Sequence, residues 1–487
     1  MPSDIHLALY GAVLFVPLVL AWSLLPLPPG PRLLPFVGNA FDIDVSHPWL
    51  TYTNWKAQHG DIVYSRVLGQ HIIIINSIEV ARQLLDKRSA KYSDRPFLQT
   101  NEEFGTSFNT AYLPYGETLR IHRKLFHQAF GAEASAEYHD LYFRKAYELV
   151  TDIISAPHML EKHLEMYSGS LIATAIYGYE TLPGTESDLL IHRSRECWPP
   201  ERAALLMAFP FLGHLPSWFP GATDRRLAPH CRKLVRQMLD EPFELGKEKM
   251  TDDGRPSLVA KFLNGGDTSP AQEEFMKGVA ISGFAGGIET TASSLHSFLL
   301  AMLLHPDVQS RALTEINAVC GDNVPTFEHK PSLPYIEAIC REVLRWQPTL
   351  PLGLPHMTSQ DDVYEGYLIL KGSLVLVNEW AISRDESLYP NASRFDPQRH
   401  LTAEGKLKDD PFAGHFAFGY GSSLWAAMVS ILSTVRITKA KDSEGNDIPV
   451  VPEYTTGLAI QPKPFACAIT SINSRREEHM KAASRVD

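Results

Sequence analysis

At the centre of the sequence stands Gly283-Phe284-Ala285-Gly286-Gly287-Ile288-Glu289-Thr290-Thr291, inside a long run with helical apolar spacing. The run begins at Ser269-Pro270-Ala271-Gln272, which predicts a serine N-cap, proline at the first helical position and a capping box. It ends at Leu304, before His305-Pro306, so the sequence predicts one helix of roughly 50 Å at ~1.5 Å per residue. This helix is the longest predicted element of the chain.

Three glycines lie within five residues of this helix (positions 283, 286 and 287), and each costs about 1 kcal/mol relative to alanine. One explanation is the close packing of a neighbouring helix. The other is a ligand pressed against the backbone, with threonine hydroxyls bonded to carbonyls of the preceding turn. The residues alone favour packing and leave the second explanation open.

Strand-like patterns are short and cluster at 61–64, 72–75, 367–370 and 374–377. The last two flank Lys371-Gly372, which predicts a hairpin between them. No repeat or second linker follows residue 40. We therefore expect residues 41–487 to form one large domain that is mainly α with small β-sheets.

The N-terminus departs from the pattern of a soluble protein. Residues 7–25 carry no charged side chain, and a helix of this length spans nearly the ~30 Å of a bilayer core. The head lacks the basic residues and small-residue cleavage site of a signal peptide, and Arg32 follows the apolar run. We expect residues 1–25 to be a membrane anchor that leaves the chain on the cytoplasmic side, a buried core helix being the alternative. The proline-rich residues 26–40 predict a stiff, non-helical hinge.

Composition excludes some functions. The formal net charge is -11, and no basic stripe is present to neutralise phosphates, which argues against nucleic-acid binding. The five cysteines are scattered without zinc-like spacing, a pattern typical of a reducing compartment.

The residues from Gly286 to Thr291 resemble the distal-helix pattern of the cytochrome P450 family, Ala/Gly-Gly-x-Asp/Glu-Thr-Thr. The resemblance implies a cytochrome P450 fold around haem. It implies that Glu289 and Thr290 deliver protons, and that Gly286 and Gly287 leave room above the haem.

A second motif is Glu342-Val343-Leu344-Arg345, whose charged pair alone indicates a helix-surface contact worth ~0.2–0.5 kcal/mol. With the later Phe395-Asp396-Pro397-Gln398-Arg399, it resembles the family's Glu-x-x-Arg helix and Phe-x-Pro-x-Arg meander. The resemblance implies a buried structural triad of Glu342, Arg345 and Arg399.

Two further positions resemble the family's haem-propionate partners. Arg123 ends a stretch similar to the Trp-x-x-x-Arg helix, with Leu119 in the tryptophan position. His356 follows a proline-rich stretch, as in related fungal sequences, and a plain loop histidine is the alternative. Residues 455–460 resemble the family's C-terminal loop, which lines the substrate pocket.

The axial ligand is the point of departure. His415-Phe416-Ala417-Phe418-Gly419-Tyr420-Gly421 resembles the family's haem-binding loop, Phe-x-x-Gly-x-Arg-x-Cys-x-Gly, with Phe418 and Gly421 as its first Phe and Gly. The chain then continues directly into residues 422–428, which resemble the helix after that loop. About ten residues are missing, including the cysteine whose thiolate favours O–O cleavage. Tyr420 and His415 are residue types that ligate haem elsewhere, but a loop this short is not expected to bring them to the iron.

The resemblance is to fungal microsomal members, of the type labelled O-methylsterigmatocystin oxidoreductase-like. It implies oxidation of a hydrophobic secondary metabolite or xenobiotic with O2, electrons from NADPH through a membrane-bound reductase, and an endoplasmic reticulum location. Three hypotheses remain open. The chain is a splice or gene-model variant of a working monooxygenase, a pseudoenzyme that binds apolar ligands or partners, or a protein that binds haem through another ligand.

Overall fold

The computed structural model describes residues 25–96, 99–131, 134–181, 188, 190, 218, 223–249, 257–265, 269–409 and 421–484. The described residues divide into two compact units, within Met1–Pro96 with Leu352–Ile382 and within Phe97–Pro351 with Ser383–Asp487. The anchor predicted for residues 1–25 lies outside the described residues, apart from Leu25. Among the helices of the described chain, none has the length and apolar character needed to cross a membrane.

The described elements confirm a mainly helical protein with small sheets. The α-helices are α1 Pro48–His59, α2 Ile78–Ala81, α3 Ser89–Tyr92, α4 Gln99–Phe104, α5 Glu117–Phe130, α6 His139–Ser155, α7 Leu160–Tyr177, α8 Thr223–Lys249, α9 Leu258–Asn264, α10 Pro270–Leu304, α11 Pro306–Cys320, α12 Pro334–Trp346, α13 Glu379–Ser383, α14 Gly421–Thr434 and α15 Ser474–Ser484. The strands are β1 Ile62–Val67, β2 Gln70–Ile75, β3 His356–Met357, β4 Asp362–Tyr364, β5 Tyr367–Ile369, β6 Leu374–Val377, β7 Val435–Lys439 and β8 Cys467–Ser471.

The first unit is built on a four-stranded sheet of order β1-β2-β6-β3. β2 pairs antiparallel with β1 and parallel with β6. All four isoleucines at 72–75 are buried, so side chains on both faces of β2 are covered. This explains the unbroken apolar run at residues 72–75 of β2.

The hairpin predicted around Lys371-Gly372 is wrong, because β5 pairs with β4 whereas β6 pairs with β2 and β3. Glu365 and Gly366, between β4 and β5, have positive φ angles of 51° and 83°, as a tight two-residue hairpin turn requires. Gly372, at φ 74°, turns the chain out of this ribbon towards the larger sheet. The residues at 371–372 therefore indicate a turn without indicating which strands pair.

The proline-rich segment 26–40 is non-helical, and the first unit binds it closely. The Tyr64 N–H donates to Pro29 O at 2.8 Å, and the Leu368 N–H donates to Pro26 O at 2.9 Å. A Cβ added at Gly30 would lie 1.9 Å from Tyr64 O, so no other residue fits there. The hinge residues are thus an ordered part of this unit.

The second unit contains α10, which begins at Pro270 and ends at Leu304 as the sequence predicts. The predicted capping box is wrong, because the Ser269 side chain makes no capping hydrogen bond. Its backbone carbonyl accepts from Glu273 N at 2.9 Å instead. Every residue of α10 from 291 to 303 is buried, which is typical of a helix surrounded by protein.

Candidate active site on the long helix

One short stretch in the middle of α10 remains open although the helix is buried on both sides of it. Residues 278–284 and 291–303 are buried, whereas Ala285, Gly286, Glu289 and Thr290 keep part of their surface. Residues three or four positions apart share one helix face, so these four form a single patch, which we call the open window. A site that is both central and accessible is suited to a ligand.

The glycines of this stretch have two different surroundings. These surroundings distinguish the two explanations for the glycines, close helix packing and a ligand pressed against the backbone. A Cβ at Gly287 would lie 2.9 Å from Ile172 Cγ1 of α7, and a Cβ at Gly283 would lie 2.8 Å from Phe126 Cε1 of α5. These two glycines permit close helix packing. A Cβ at Gly286 would meet no atom within 4 Å, so Gly286 borders empty space among the described residues.

Side-chain hydroxyls bond to the carbonyls of the open window. Thr290 Oγ1 donates to Gly286 O at 2.8 Å, Ser293 Oγ to Glu289 O at 2.7 Å, and Ser294 Oγ to Thr290 O at 2.8 Å. Such back-bonding competes with the helical ladder and loosens it locally. From α7, the Ser168 hydroxyl lies 2.8 Å from the carbonyl oxygen of Gly287, on the packed side.

A buried charged cluster lies on α12 of the same unit. Arg345 binds Glu342 through two hydrogen bonds of 2.7 Å, and Arg399 Nε donates to Glu342 Oε1 at 3.1 Å. The side chains of Glu342 and Arg345 are 0% and 1% exposed. Arg345 also donates to the carbonyls of Ser383 and Ala392, at 2.7 and 2.9 Å. The guanidinium therefore joins α12 to the segment before Arg399, and every partner of the buried charge is satisfied.

His400 is a member of this cluster that the sequence analysis missed. Its Nε2 lies 2.9 Å from Glu342 Oε2. Burial raises the pKa of Glu342, but the hydrogen bonds from Arg345 and His400 outweigh it and lower that pKa from 4.5 to about 2. The stabilisation from the ionised Glu342 carboxylate is therefore present above about pH 4.5 and is lost as the pH falls towards 2. His400 directly follows Arg399, which was the only signal for it.

Arg123, the predicted propionate partner on α5, is exposed, and none of the described residues pairs with it. Leu119 is buried, so the residue in the tryptophan position belongs to the core and offers no N–H donor. The neighbouring His122, which sequence reasoning missed, is buried with Nδ1 2.7 Å from Thr110 Oγ1. Burial lowers the pKa of His122 to about 4, so its imidazole is neutral at pH 7.

His356, the other predicted propionate partner, belongs to the first unit. It lies on β3, and its Nδ1 is 2.8 Å from the carbonyl oxygen of Tyr92. Because a carbonyl accepts only from a protonated nitrogen, this contact fixes the proton on Nδ1. The proposed role of His356 at a propionate stays a prediction.

The thiols of Cys320, Cys340 and Cys467 do not fit the role of an axial haem ligand. Cys340 donates to Met428 Sδ at 3.4 Å inside the core, and burial raises the pKa of its thiol. Burial likewise raises the pKa of Cys320 and of Cys467. A haem ligand must be a thiolate, which burial in apolar surroundings disfavours. The sequence contains no cysteine between Cys340 and Cys467.

The remaining predicted loop residues, His415, Phe418 and Tyr420, lie outside the described residues. α14 begins at Gly421, and its residues 424–428 are buried. The open window offers the small residues and the accessible face that a haem would need on its distal side, whereas the thiols of Cys320, Cys340 and Cys467 do not suit an axial ligand.

Fold and site together define a mainly helical protein with an open site in the middle of its longest helix and a buried arginine–carboxylate cluster. The sequence model of the family described as Cytochrome P450 matches residues 28–423. The chain belongs to the cytochrome P450 family, whose chemistry is haem-dependent oxidation.

Curated relatives agree with this assignment. The chain is 35% identical over 474 residues to cytochrome P450 monooxygenase claR of Ampulloclitocybe clavipes, covering 93% of this chain and 88% of that protein. It is 34% identical over 488 residues to cytochrome P450 monooxygenase 98 of Postia placenta, covering 95% and 93%. It is 35% identical over 472 residues to cytochrome P450 monooxygenase COX1 of Coprinopsis cinerea, covering 91% of both chains.

Proposed function

We propose that this chain binds a hydrophobic small molecule at the open window but does not carry out thiolate-dependent monooxygenation. The observation that carries the proposal is the absence of any cysteine between Cys340 and Cys467. A cytochrome P450 activates oxygen through a haem held by a cysteine thiolate. Binding of an apolar molecule needs none of this chemistry.

The surroundings of α10 support an apolar ligand. Half-buried Phe108, Leu125 and Phe126 pack with the core around the N-terminal half of α10. The empty space beside Gly286 adds room for a ligand. Apolar walls with a few polar groups are typical of small-molecule sites, and here Glu289 and Thr290 supply the polar groups.

The test uses the full chain with testosterone as an apolar probe, measured by equilibrium dialysis. We expect saturable binding that is weakened by Gly286→Leu, which fills the empty space. We also expect no oxidised product when haem, NADPH and a cytochrome reductase are supplied. Absence of saturable binding would disprove the binding role, and product formation would disprove the proposed inactivity.

A second candidate function is full monooxygenation of a hydrophobic secondary metabolite or xenobiotic by a longer form of the chain. The observation that favours it is that Phe418 and Gly421 match the haem-loop pattern on one side of the gap while α14 follows on the other. A form with a Cys-containing insertion after Gly421 would use O2 and electrons from NADPH through a reductase. Sequencing transcripts across residues 419–424 tests it, since the absence of any such form would exclude this candidate.

We also propose that residues 1–25 anchor the protein in the endoplasmic reticulum membrane, with the domain facing the cytoplasm. The uncharged run 7–25 supports this. Alkaline carbonate extraction of microsomes is expected to leave the full chain in the membrane and to release a chain that starts at Pro26. Release of the full chain would disprove the anchor.

A further inference from the structure

The segment 453–463, which we call the C-terminal loop, is a narrow hairpin-like loop in the second unit. Thr455 N donates to Gln461 O at 2.8 Å, and Gln461 N donates back to Thr455 Oγ1 at 3.1 Å. Nearer its ends, Lys463 N donates to Glu453 O at 2.8 Å. These hydrogen bonds fix the shape of the loop but not its position in the unit. Its position therefore depends on contacts with other segments.

Those contacts lead to the open window along two chains of polar groups, which we call the bridges. In the first, Ser293 Oγ lies 2.7 Å from Glu289 O and 3.5 Å from Gln461 Oε1. The Gln461 amide nitrogen in turn donates to Glu161 Oε1 of α7 at 3.2 Å. Gln461 therefore connects the loop to α7 and to the turn of α10 that carries Glu289.

The second bridge starts from the neighbouring carbonyl. Ser294 Oγ donates to Thr290 O at 2.8 Å and lies 3.2 Å from Thr349 Oγ1. The Thr349 carbonyl accepts from Ile460 N of the loop at 2.8 Å. The two serines are 1% and 5% exposed, so the ends of the bridges on α10 are shielded from competing water.

The geometry points to Gln461 as a positioning residue that holds the C-terminal loop in register with the open window. Its amide is the one side-chain group of the bridges that contacts both α7 and α10. A ligand at the window would then meet a loop whose distance from Glu289 and Thr290 is fixed by Gln461. Only the presence of a ligand at the open window rests on the proposed function; the coupling of the loop to α10 through Gln461 does not.

The test variant is Gln461→Leu in the full chain, which removes both amide contacts at similar side-chain size. The matched control is Lys463→Met, which breaks the Lys463–Glu453 pair of 2.9 Å in the same loop without touching α10. Hydrogen–deuterium exchange followed by mass spectrometry reports on peptides covering 454–462 and 286–294. We expect Gln461→Leu to speed exchange in both peptides by about fivefold, as loss of a net hydrogen bond implies, and Lys463→Met to leave 286–294 unchanged.

A rescue variant separates positioning from general loss of packing. Glu161→Gln combined with Gln461→Glu exchanges donor and acceptor and keeps a hydrogen bond between the two positions. We expect this double variant to restore slow exchange in both peptides. A second readout compares a large and a small apolar probe, testosterone and naphthalene, by the ratio of their dissociation constants, and the double variant should have the wild-type ratio. Gln461→Leu is expected to change that ratio by about threefold or more.

The outcomes separate the inference from the proposed function. Faster exchange confined to 454–462, equal effects of Gln461→Leu and Lys463→Met on 286–294, or no rescue would each overturn the inference. Failure of the wild-type chain to bind either probe would overturn the proposed binding role, while the exchange data would still decide whether Gln461 couples the loop to the window.

Discussion

Glu342 accepts hydrogen bonds from Arg345, Arg399 and the backbone N–H of Asp396, and His400 Nε2 lies 2.9 Å from its second oxygen. Its carboxylate is fully buried, so its removal would leave two arginine charges without a counter-charge. A buried ion pair adds little over apolar packing, but breaking one by removing a single partner is expensive. A substitution that removes only the charge of Glu342 should therefore destabilise the folded protein strongly.

We expect Glu342→Gln to lower the free energy of unfolding by about 3–5 kcal/mol. The measurement is urea unfolding at pH 7, with comparison of midpoints at a common slope. The matched control on the same helix is Glu337→Gln, whose contacts with Lys330 at 3.3 Å and Arg341 at 3.7 Å are partly exposed. It should cost less than about 1 kcal/mol. Equal losses for the two variants would contradict the role assigned to the cluster.

Glu379 is the opposite case, a carboxylic acid without a counter-charge in the first unit. Its Oε2 is buried without a partner among the described residues, although the residue as a whole keeps some exposure. Burial raises the pKa of Glu379 from 4.5 to about 8. The folded state therefore retains a proton that the unfolded state releases above about pH 4.5, and the stability of the protein falls as pH rises from 4.5 to 8.

We expect Glu379→Gln to remove this pH-dependent loss. At pH 5 the variant and the wild type should unfold at similar urea concentrations, and by pH 8 the variant should be more stable by about 3–4 kcal/mol. The comparison of the two pH values cancels effects of the substitution that do not depend on ionisation. A difference that stays constant from pH 5 to pH 8 would show that Glu379 does not titrate in this range.

At the scale of the element, α10 combines a packed face with an open one. Gly287 lies against Ile172 of α7 and Gly286 borders empty space, although the two are adjacent in sequence. Within one motif, Gly287 thus permits close packing of α7, and the adjacent Gly286 leaves the site open. Neither explanation of the glycines excludes the other.

The adjacent pair provides a matched test. Gly286→Ala should raise the free energy of unfolding by about 0.5–1 kcal/mol, because alanine favours the helix and meets no atom. Gly287→Ala should lower it by about 1–3 kcal/mol, because its Cβ would lie 2.9 Å from Ile172 Cγ1. Thermal and urea unfolding measure both. Effects of the same sign would mean that the two glycines have similar surroundings.

At the scale of the whole molecule, periodic patterns predicted elements better than they predicted contacts. The bounds of α10 followed from Pro270 and His305-Pro306, since proline and the apolar spacing act locally. The partner of β5 depended on Glu365 and Gly366, whose positive φ angles no apolar pattern encodes. Local signals fix where an element begins and ends, and tertiary packing decides which elements pair.

The candidate site shows the same division. Glu289 and Thr290 could be identified from their motif, and the structure places them on one partly open face. The bridge through Gln461 could not be predicted, because it joins residues 168 and 300 positions apart in the chain. Such contacts exist only after the loop and two helices have packed.

We propose above all that this chain, a member of the cytochrome P450 family, has no thiolate to hold a haem iron. The decisive measurement is the absorbance spectrum of the reduced, carbon-monoxide-bound protein after haem is supplied to the full chain. A variant with a Cys-containing insertion after Gly421 is the positive control. We predict that the control gives the Soret band typical of thiolate ligation and that the unmodified chain does not. A thiolate-type band from the unmodified chain would contradict the claim.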